Sequence, residues 1–264
     1  MQSSLNPGFW RPGGWLDDLL NAARLLTRLP LGHGGAALAE PTASHPARCY
    51  PLVGAGIGLL AGFAYALAAW LAMPPFAAAL AALTAAILAT GALHEDGLAD
   101  VADGFGGGRD PARKLAIMRD SRIGSYGVVA LVLVLAARGG SLAVLAEPAA
   151  AMAALVAAHS LSRGGLATIM WALPPARSDG LAAATGRPGG ADALAGLAIG
   201  IVCALLLLDL TTAIAAILAT VTLQALLALH ARRQIGGVTG DVLGAAQQLG
   251  EAAVLLVACS GTSL

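Results

Sequence analysis

The chain has 264 residues, 58% of them hydrophobic and only 11% charged, with a mean hydropathy of +0.77. A soluble domain of this size carries roughly 25% charged residues, so the composition excludes an ordinary soluble globule and indicates an integral membrane protein. Fifteen basic residues balance fifteen acidic ones, which argues against a nucleic-acid surface.

The first 30 residues hold Trp10, Trp15, Asp17, Asp18, Arg24 and Arg28. They lack the uninterrupted apolar core of a secretory signal. From Trp15 to Leu29 the apolar residues Leu16, Leu19, Leu20, Ala23 and Leu26 recur at helical spacing. That pattern predicts an amphipathic helix at the membrane interface, anchored by Trp10 and Trp15. An irregular loop is expected over 32–47. Crossing the hydrocarbon core takes about 20 apolar residues, and the apolar stretches then give seven spans: 51–73, 76–93, 123–137, 148–170 (although it contains His159 and Arg163), 191–208, 211–229 and the shorter 242–258, which carries Glu251. Pro74 and Pro75 break the first from the second. The expected fold is an all-α, polytopic membrane bundle forming one domain over 1–264. Cys49, Cys203 and Cys259 have no partner at metal-ligand spacing.

Charge is concentrated in one place. Residues 94–122 hold six of the acids and five of the bases, whereas Cys49 to Leu93 has no charged residue. Asp96, Asp100 and Asp103 follow an i, i+4, i+7 spacing that stacks three carboxylates on one helical stripe. Like charges repel there unless cations intervene. A hard divalent ion such as Mg²⁺ prefers such oxygen ligands and shares them with phosphates. Asp96, Asp100, Asp103 and the adjacent Glu95 are therefore the candidate metal ligands; the alternative is a solvated acidic face.

Three further stretches surround this stripe. Gly106-Gly107-Gly108, followed by Arg109 and Arg113, is either a turn or a close backbone approach to phosphate. In Arg119-Asp120-Ser121-Arg122 two arginines flank a carboxylate, which suits a metal-bound pyrophosphate. The Gly-rich stretch 232–245 includes Gly237, Thr239 and Asp241 ahead of a helix. It either holds an anion at the helix N-terminus or caps the helix. His94, His159, Arg163 and Glu251 lie in or at the membrane, where ionisable groups are functional candidates. Arg163 with Glu251 is also a candidate structural pair.

Basic residues in the short loops set the orientation. Arg48, Arg109, Arg113, Lys114, Arg119, Arg122, Arg177, Arg187, Arg232 and Arg233 fall on one side, and the loops near Pro74, Arg138–Glu147 and Asp209 on the other. The charged face is expected to be cytoplasmic. Metal plus arginine serves phosphoryl transfer involving a nucleotide or lipid diphosphate. A cation-coupled transporter is the rival, but it would carry its acids at mid-membrane on broken helices. As general base Asp103 is ranked ahead of Asp120 and Asp241, because it ends the stripe beside Gly104.

The blocks 94–104, 118–124 and 236–245, with Leu26-Thr27-Arg28-Leu29-Pro30 and Arg48-Cys49-Tyr50-Pro51-Leu52-Val53-Gly54, together resemble the cobalamin synthase (adenosylcobinamide-GDP ribazoletransferase) family, in the family's order. The usual His-Leu/Phe-Asp-Gly start stands here as His94-Glu95-Asp96-Gly97, which adds a carboxylate. The resemblance implies a bacterial inner-membrane enzyme facing the cytoplasm. It would join α-ribazole, or its 5′-phosphate, to adenosylcobinamide-GDP and release GMP with Mg²⁺. Asp100, Asp103, Arg119 and Arg122 would be catalytic, and Arg113, Asp120, Gly237, Thr239 and Asp241 would contact substrate. A homo-oligomer, or association with other cobalamin-biosynthesis enzymes, is left open. CDP-alcohol phosphatidyltransferases share the logic, but their two further aspartates are not in register here.

Overall fold

A computed structural model describes residues 12–31 and 45–261, almost all of them helical. Trp10 and most of the expected 32–47 loop lie outside the described residues. In chain order the helices are α1 (Pro12–Leu26), α2 (Tyr50–Trp70), α3 (Pro75–Thr90), α4 (Leu93–Gly107), α5 (Pro111–Ile117), α6 (Ser125–Leu145), α7 (Pro148–Gly164), α8 (Leu166–Ala172), α9 (Leu181–Thr185), α10 (Gly190–Leu207), α11 (Leu210–Ile235) and α12 (Gly240–Ser260). A 3-10 turn, Pro46–Cys49, leads into α2.

Five of these pieces are long and apolar enough to cross a membrane: Pro46–Trp70, Ser125–Leu145, Gly190–Leu207, Leu210–Ile235 and Gly240–Ser260. The pair α3 and α4, bent by 88°, makes a sixth if counted as one broken span. By length and composition this gives five or six where seven were expected, and the stretch that does not register as a single long span is 148–170. That stretch is two helices, α7 and the short α8, and α7 is only 17 residues long. It also carries His159, Ser160, Ser162 and Arg163, all buried.

Small residues let α7 occupy the middle of the bundle. Gly54, Gly58 and Gly62 form one stripe on α2, and a Cβ at Gly58 would come within 2.6 Å of the Val156 Cα on α7. A Cβ at Gly54 would strike the His159 carbonyl. On the α10 side, a Cβ at Gly164 would meet the Gly196 carbonyl oxygen at 2.8 Å. Without a strong hydrophobic drive between helices in lipid, such close backbone contact is the main source of packing energy. The exposed Leu and Val side chains of α2, α6, α10 and α11 form the outer surface of the bundle, as expected for lipid-facing helices.

The chain turns from α3 into α4 through Gly91 (φ 65°) and Ala92 (φ 58°), two consecutive left-handed residues. This bend swings α4 away from the α3 axis and packs it on α12 and α6. We read α4, with the solvent-exposed α5 after it, as lying at one end of the bundle outside the spanning segments. α1 packs over the same end. Its buried Asp18 pairs with Arg48 at 2.8 Å, and the Arg48 guanidinium stacks 4.0 Å from the Trp15 ring. The expected amphipathic helix is thus present, turned with Ala22 and Leu26 inward and Leu16 outward.

Candidate active site

α4 divides its acids between two faces. Asp96 is exposed and Asp100 half-buried, whereas Glu95 and Asp103 are buried. Gly97 lets α12 come close, since a Cβ there would meet the Asp241 carbonyl at 2.8 Å. This brings the start of α12 against the acidic stripe. The loop before α12 is fixed by a two-residue bridge: Val238 N–H donates to the Pro174 carbonyl (2.9 Å) and Ala176 N–H to the Val238 carbonyl (2.8 Å). Gly236 ends α11 in the left-handed region (φ 80°), and a Cβ on Gly237 would collide with the Pro174 carbonyl. The bridge thereby carries Arg177 to within 3.6 Å of Asp241.

Asp96, Asp100 and Asp241 make an acid-rich centre with Arg177 at its edge. Burial first, then the charges of Asp96, Asp241 and Asp103, push the Asp100 carboxyl up to about 7, with Arg177 opposing. Crowded hard oxygens short of positive charge fit a divalent cation such as Mg²⁺. Among the described residues no three His, Cys, Asp or Glu side chains are grouped tightly enough to hold an ion alone. Any ion held here would have to take one or two of these carboxylates and draw its remaining ligands from water and substrate.

Two hollows meet at Asp96. One is polar and is lined by Asp100, Arg119, Asp120, Ser121 and Arg122. Arg122 grips Asp120 through Nε to Oδ1 (3.0 Å) and Nη2 to Oδ2 (2.7 Å). These hydrogen bonds hold the Asp120 carboxyl at about 2. Arg119 pairs with Asp179. The other hollow is a largely apolar cleft walled by Leu26, Tyr50, Leu166 and Met170, with His94, Asp96, Arg177 and Asp241 also on its lining.

Several expected site residues are placed elsewhere. Asp103 lies near enough to raise Asp100 but spends both its oxygens on backbone: its Oδ2 accepts from Gly124 N–H (2.7 Å) and its Oδ1 from Gly127 N–H (2.9 Å). The free N–H groups at the start of α6 draw the carboxylate, which corrects its place at the head of the ranking for general base. Glu95 turns inward as well. Its Oε1 accepts from Arg138 Nη1 (3.1 Å) and Gln248 Nε2 (3.0 Å), away from the acidic centre. Thr239 is buried and caps α12, accepting from Val242 N–H at 3.2 Å, so Asp241 is not the cap. Gly237 is buried in the bridge. Gly106 and Gly107 belong to the last turn of α4, where Gly106 packs on the Tyr126 ring. Arg113 stands exposed on α5, outside both hollows.

Two groups escaped the sequence reading. Arg177 looked like one more loop cation, because only the bridge brings it to Asp241. Arg138 was expected in a loop on the far side; it is buried within α6 and forms ion pairs with Glu95 and Glu251. Glu251 also lies 3.1 Å from His159 Nδ1 and 4.0 Å from Arg163 Nη1.

Residues 18–259 match the family described as cobalamin-5-phosphate synthase. The chain is 47% identical over 249 residues to a Mesorhizobium japonicum protein named adenosylcobinamide-GDP ribazoletransferase, covering 92% of this chain and 93% of that one. Proteins of the same name from Azorhizobium caulinodans and Bradyrhizobium diazoefficiens are 47% and 44% identical, each alignment spanning over nine-tenths of both chains. No solved structure matches the chain.

Proposed function

The chain belongs to the cobalamin-5-phosphate synthase family, and on that premise we propose that it is an adenosylcobinamide-GDP ribazoletransferase working where α4, the 118–124 turn and the start of α12 meet. The reaction joins ribazole, or its 5′-phosphate, to the cobinamide phosphate and releases GMP. The acceptor's hydroxyl oxygen forms a bond to the phosphorus next to cobinamide. The bond from that phosphorus to the bridging oxygen breaks, and GMP leaves with the electron pair.

The observation that carries this reading is the meeting of the arginine-lined hollow and the apolar cleft at one acidic centre. Asp96 and Asp100 would hold Mg²⁺, which when bound neutralises pyrophosphate charge. Arg122 and Arg119 grip phosphate oxygens as charge builds on departing GMP; their present carboxylate partners, Asp120 and Asp179, are exchangeable surface contacts. Asp241 takes the hydroxyl proton. It lines the apolar cleft, and its buried Oδ2 accepts no hydrogen bond among the described residues, with Arg177 Nη2 3.6 Å away. Arg177 then stands beside it to orient the carboxylate.

This end carries Arg109, Arg113, Lys114, Arg119, Arg122, Arg177, Arg187, Arg232 and Arg233 on its loops, on α5 and on the last turns of α11, while the turns at 71–74, 146–147 and 208–209 carry no Lys or Arg. By the positive-inside rule this face is cytoplasmic, where nucleotide substrates and Mg²⁺ are available. The direct test follows GMP release by the purified protein from adenosylcobinamide-GDP and α-ribazole, with and without Mg²⁺. Release is expected only with both substrates and the metal. Asp241→Asn is expected to lower turnover by roughly a hundred-fold or more, the scale of a lost general base, with donor affinity retained. Full activity in that variant would remove Asp241 from the role.

A further inference from the structure

The two hollows differ in what they can bury. In the apolar cleft exposure rises toward the charged residues: Leu26, Tyr50, Leu166 and Met170 are at most 4% exposed, while Arg177 and Asp241 keep side-chain exposures of 17% and 19% and Asp96 is open. The deep part is therefore apolar and the charge sits toward its mouth. His94 and the Tyr50 hydroxyl are the polar groups among the most buried lining residues.

Two chemically different molecules must meet at this centre. A guanine ring has donors and acceptors around most of its edge. Buried here, several would lose water without finding partners, each at a cost of about 1–3 kcal/mol. A pyrophosphate would face the carboxylates of Asp96 and Asp241 with only Arg177 in support. The benzimidazole of ribazole is flat, alkylated and nearly free of donors, and its ribose hydroxyls extend from one end.

We propose that the apolar cleft between α1, α4, α8, α9 and α12 is the acceptor subsite. The aromatic base of ribazole enters between Leu26, Tyr50, Leu166 and Met170, with its ribose at the mouth beside Asp241. The donor pyrophosphate occupies the arginine-lined hollow on the other side of Asp96. This assignment rests on the transferase reading above. It makes Met170 and Leu166 residues that determine acceptor specificity, and it accounts for an otherwise puzzling apolar cavity opening onto an acidic site.

The test narrows and then widens the cleft. Met170→Phe is expected to raise KM for α-ribazole by roughly ten-fold or more, the scale of a steric misfit in an apolar pocket. KM for adenosylcobinamide-GDP should stay within about two-fold, because that substrate lies across Asp96. The riboside of unmethylated benzimidazole, being smaller, should lose less than α-ribazole does. Met170→Ala should instead accept a riboside of a three-ring base that the wild type rejects, and this arm decides if Met170→Phe does not fold. A rise in the donor's KM alone would give the cleft to the guanosine end and overturn the proposal, as would unchanged KM values for both substrates. Wild-type protein that releases no GMP from the substrate pair would instead count against the transferase reading.

Discussion

One helix, α4, carries two kinds of charge, and they are handled in opposite ways. Glu95 points into the bundle, where Glu95 and Glu251 face Arg138 and Arg163 with Gln247, Gln248 and the buried His159 between them. Two acids meet two bases, and the inner cluster is balanced. Asp96 and Asp100 point the other way and meet Asp241, with Arg177 as the nearest cation. That outer cluster is short of positive charge. The inner cluster stabilises the arrangement of α4, α6, α7 and α12, whereas the outer one has more acids than bases. Balance marks structure here, and imbalance marks chemistry.

The strongest test of this contrast removes the hub of the inner cluster. Arg138→Leu leaves Glu95 and Glu251 buried without their main partner, a change that typically costs about 3–5 kcal/mol. The variant is expected to accumulate poorly or to melt far below wild type in detergent. Wild-type yield and melting would show that the inner cluster does not hold the bundle together.

Asp100→Asn should behave in the reverse manner. Turnover is expected to fall by roughly a hundred-fold or more, as when transition-state charge loses its stabilisation, while the protein remains folded. Its carboxyl is raised to about 7 in the folded chain. A raised acid contributes stability that is fully present below about pH 4 and is lost as pH rises to about 7, with no further change above. Asp100→Asn should accordingly melt higher than wild type at neutral pH, by a margin that grows no further at higher pH. A large drop in melting temperature would move Asp100 into the structural class.

A third measurement uses the same titration. A cation at Asp100 competes with a proton, so below about pH 7 the Mg²⁺ needed for half-maximal activity should rise, approaching about ten-fold per pH unit for a single competing proton. A requirement independent of pH would place the metal elsewhere. The smallest effect is expected at Arg122, whose pairing with Asp120 is solvent-exposed and contributes little to folding. Arg122→Lys should leave melting unchanged and reduce kcat/KM for adenosylcobinamide-GDP several-fold, because an ammonium cannot reproduce a two-pronged contact. Equal kinetics would reduce its role to bulk charge.

The sequence made the helical membrane character legible, because long charge-free stretches have few alternatives in lipid. It did not show that 148–170 is enclosed by other helices, since apolar content alone does not separate a lipid-facing helix from a central one; the glycine stripe of α2 that packs on α7 is a pairwise property. The acidic stripe was legible as a unit, yet spacing could not tell which carboxylates face the substrate. Asp103 turned out to serve the start of α6 and Glu95 the interior, because their partners, Gly124, Gly127, Arg138 and Gln248, come from other helices. Arg177 was hidden for the same reason. Its neighbour Asp241 is 64 positions further along the chain, brought close by a bridge that has no sequence signature.

The central position of α12 has a bearing on how the protein is made. It packs against α4, α6, α7 and α11 and supplies Glu251 to the buried cluster, yet it follows all four in the chain. During synthesis His159 and Arg163 are therefore made before Glu251, the carboxylate they face, whereas Arg138 already has Glu95. Substitutions at Glu251 should consequently act on biogenesis first, because a chain that stops before residue 240 leaves Arg163 without the carboxylate it faces.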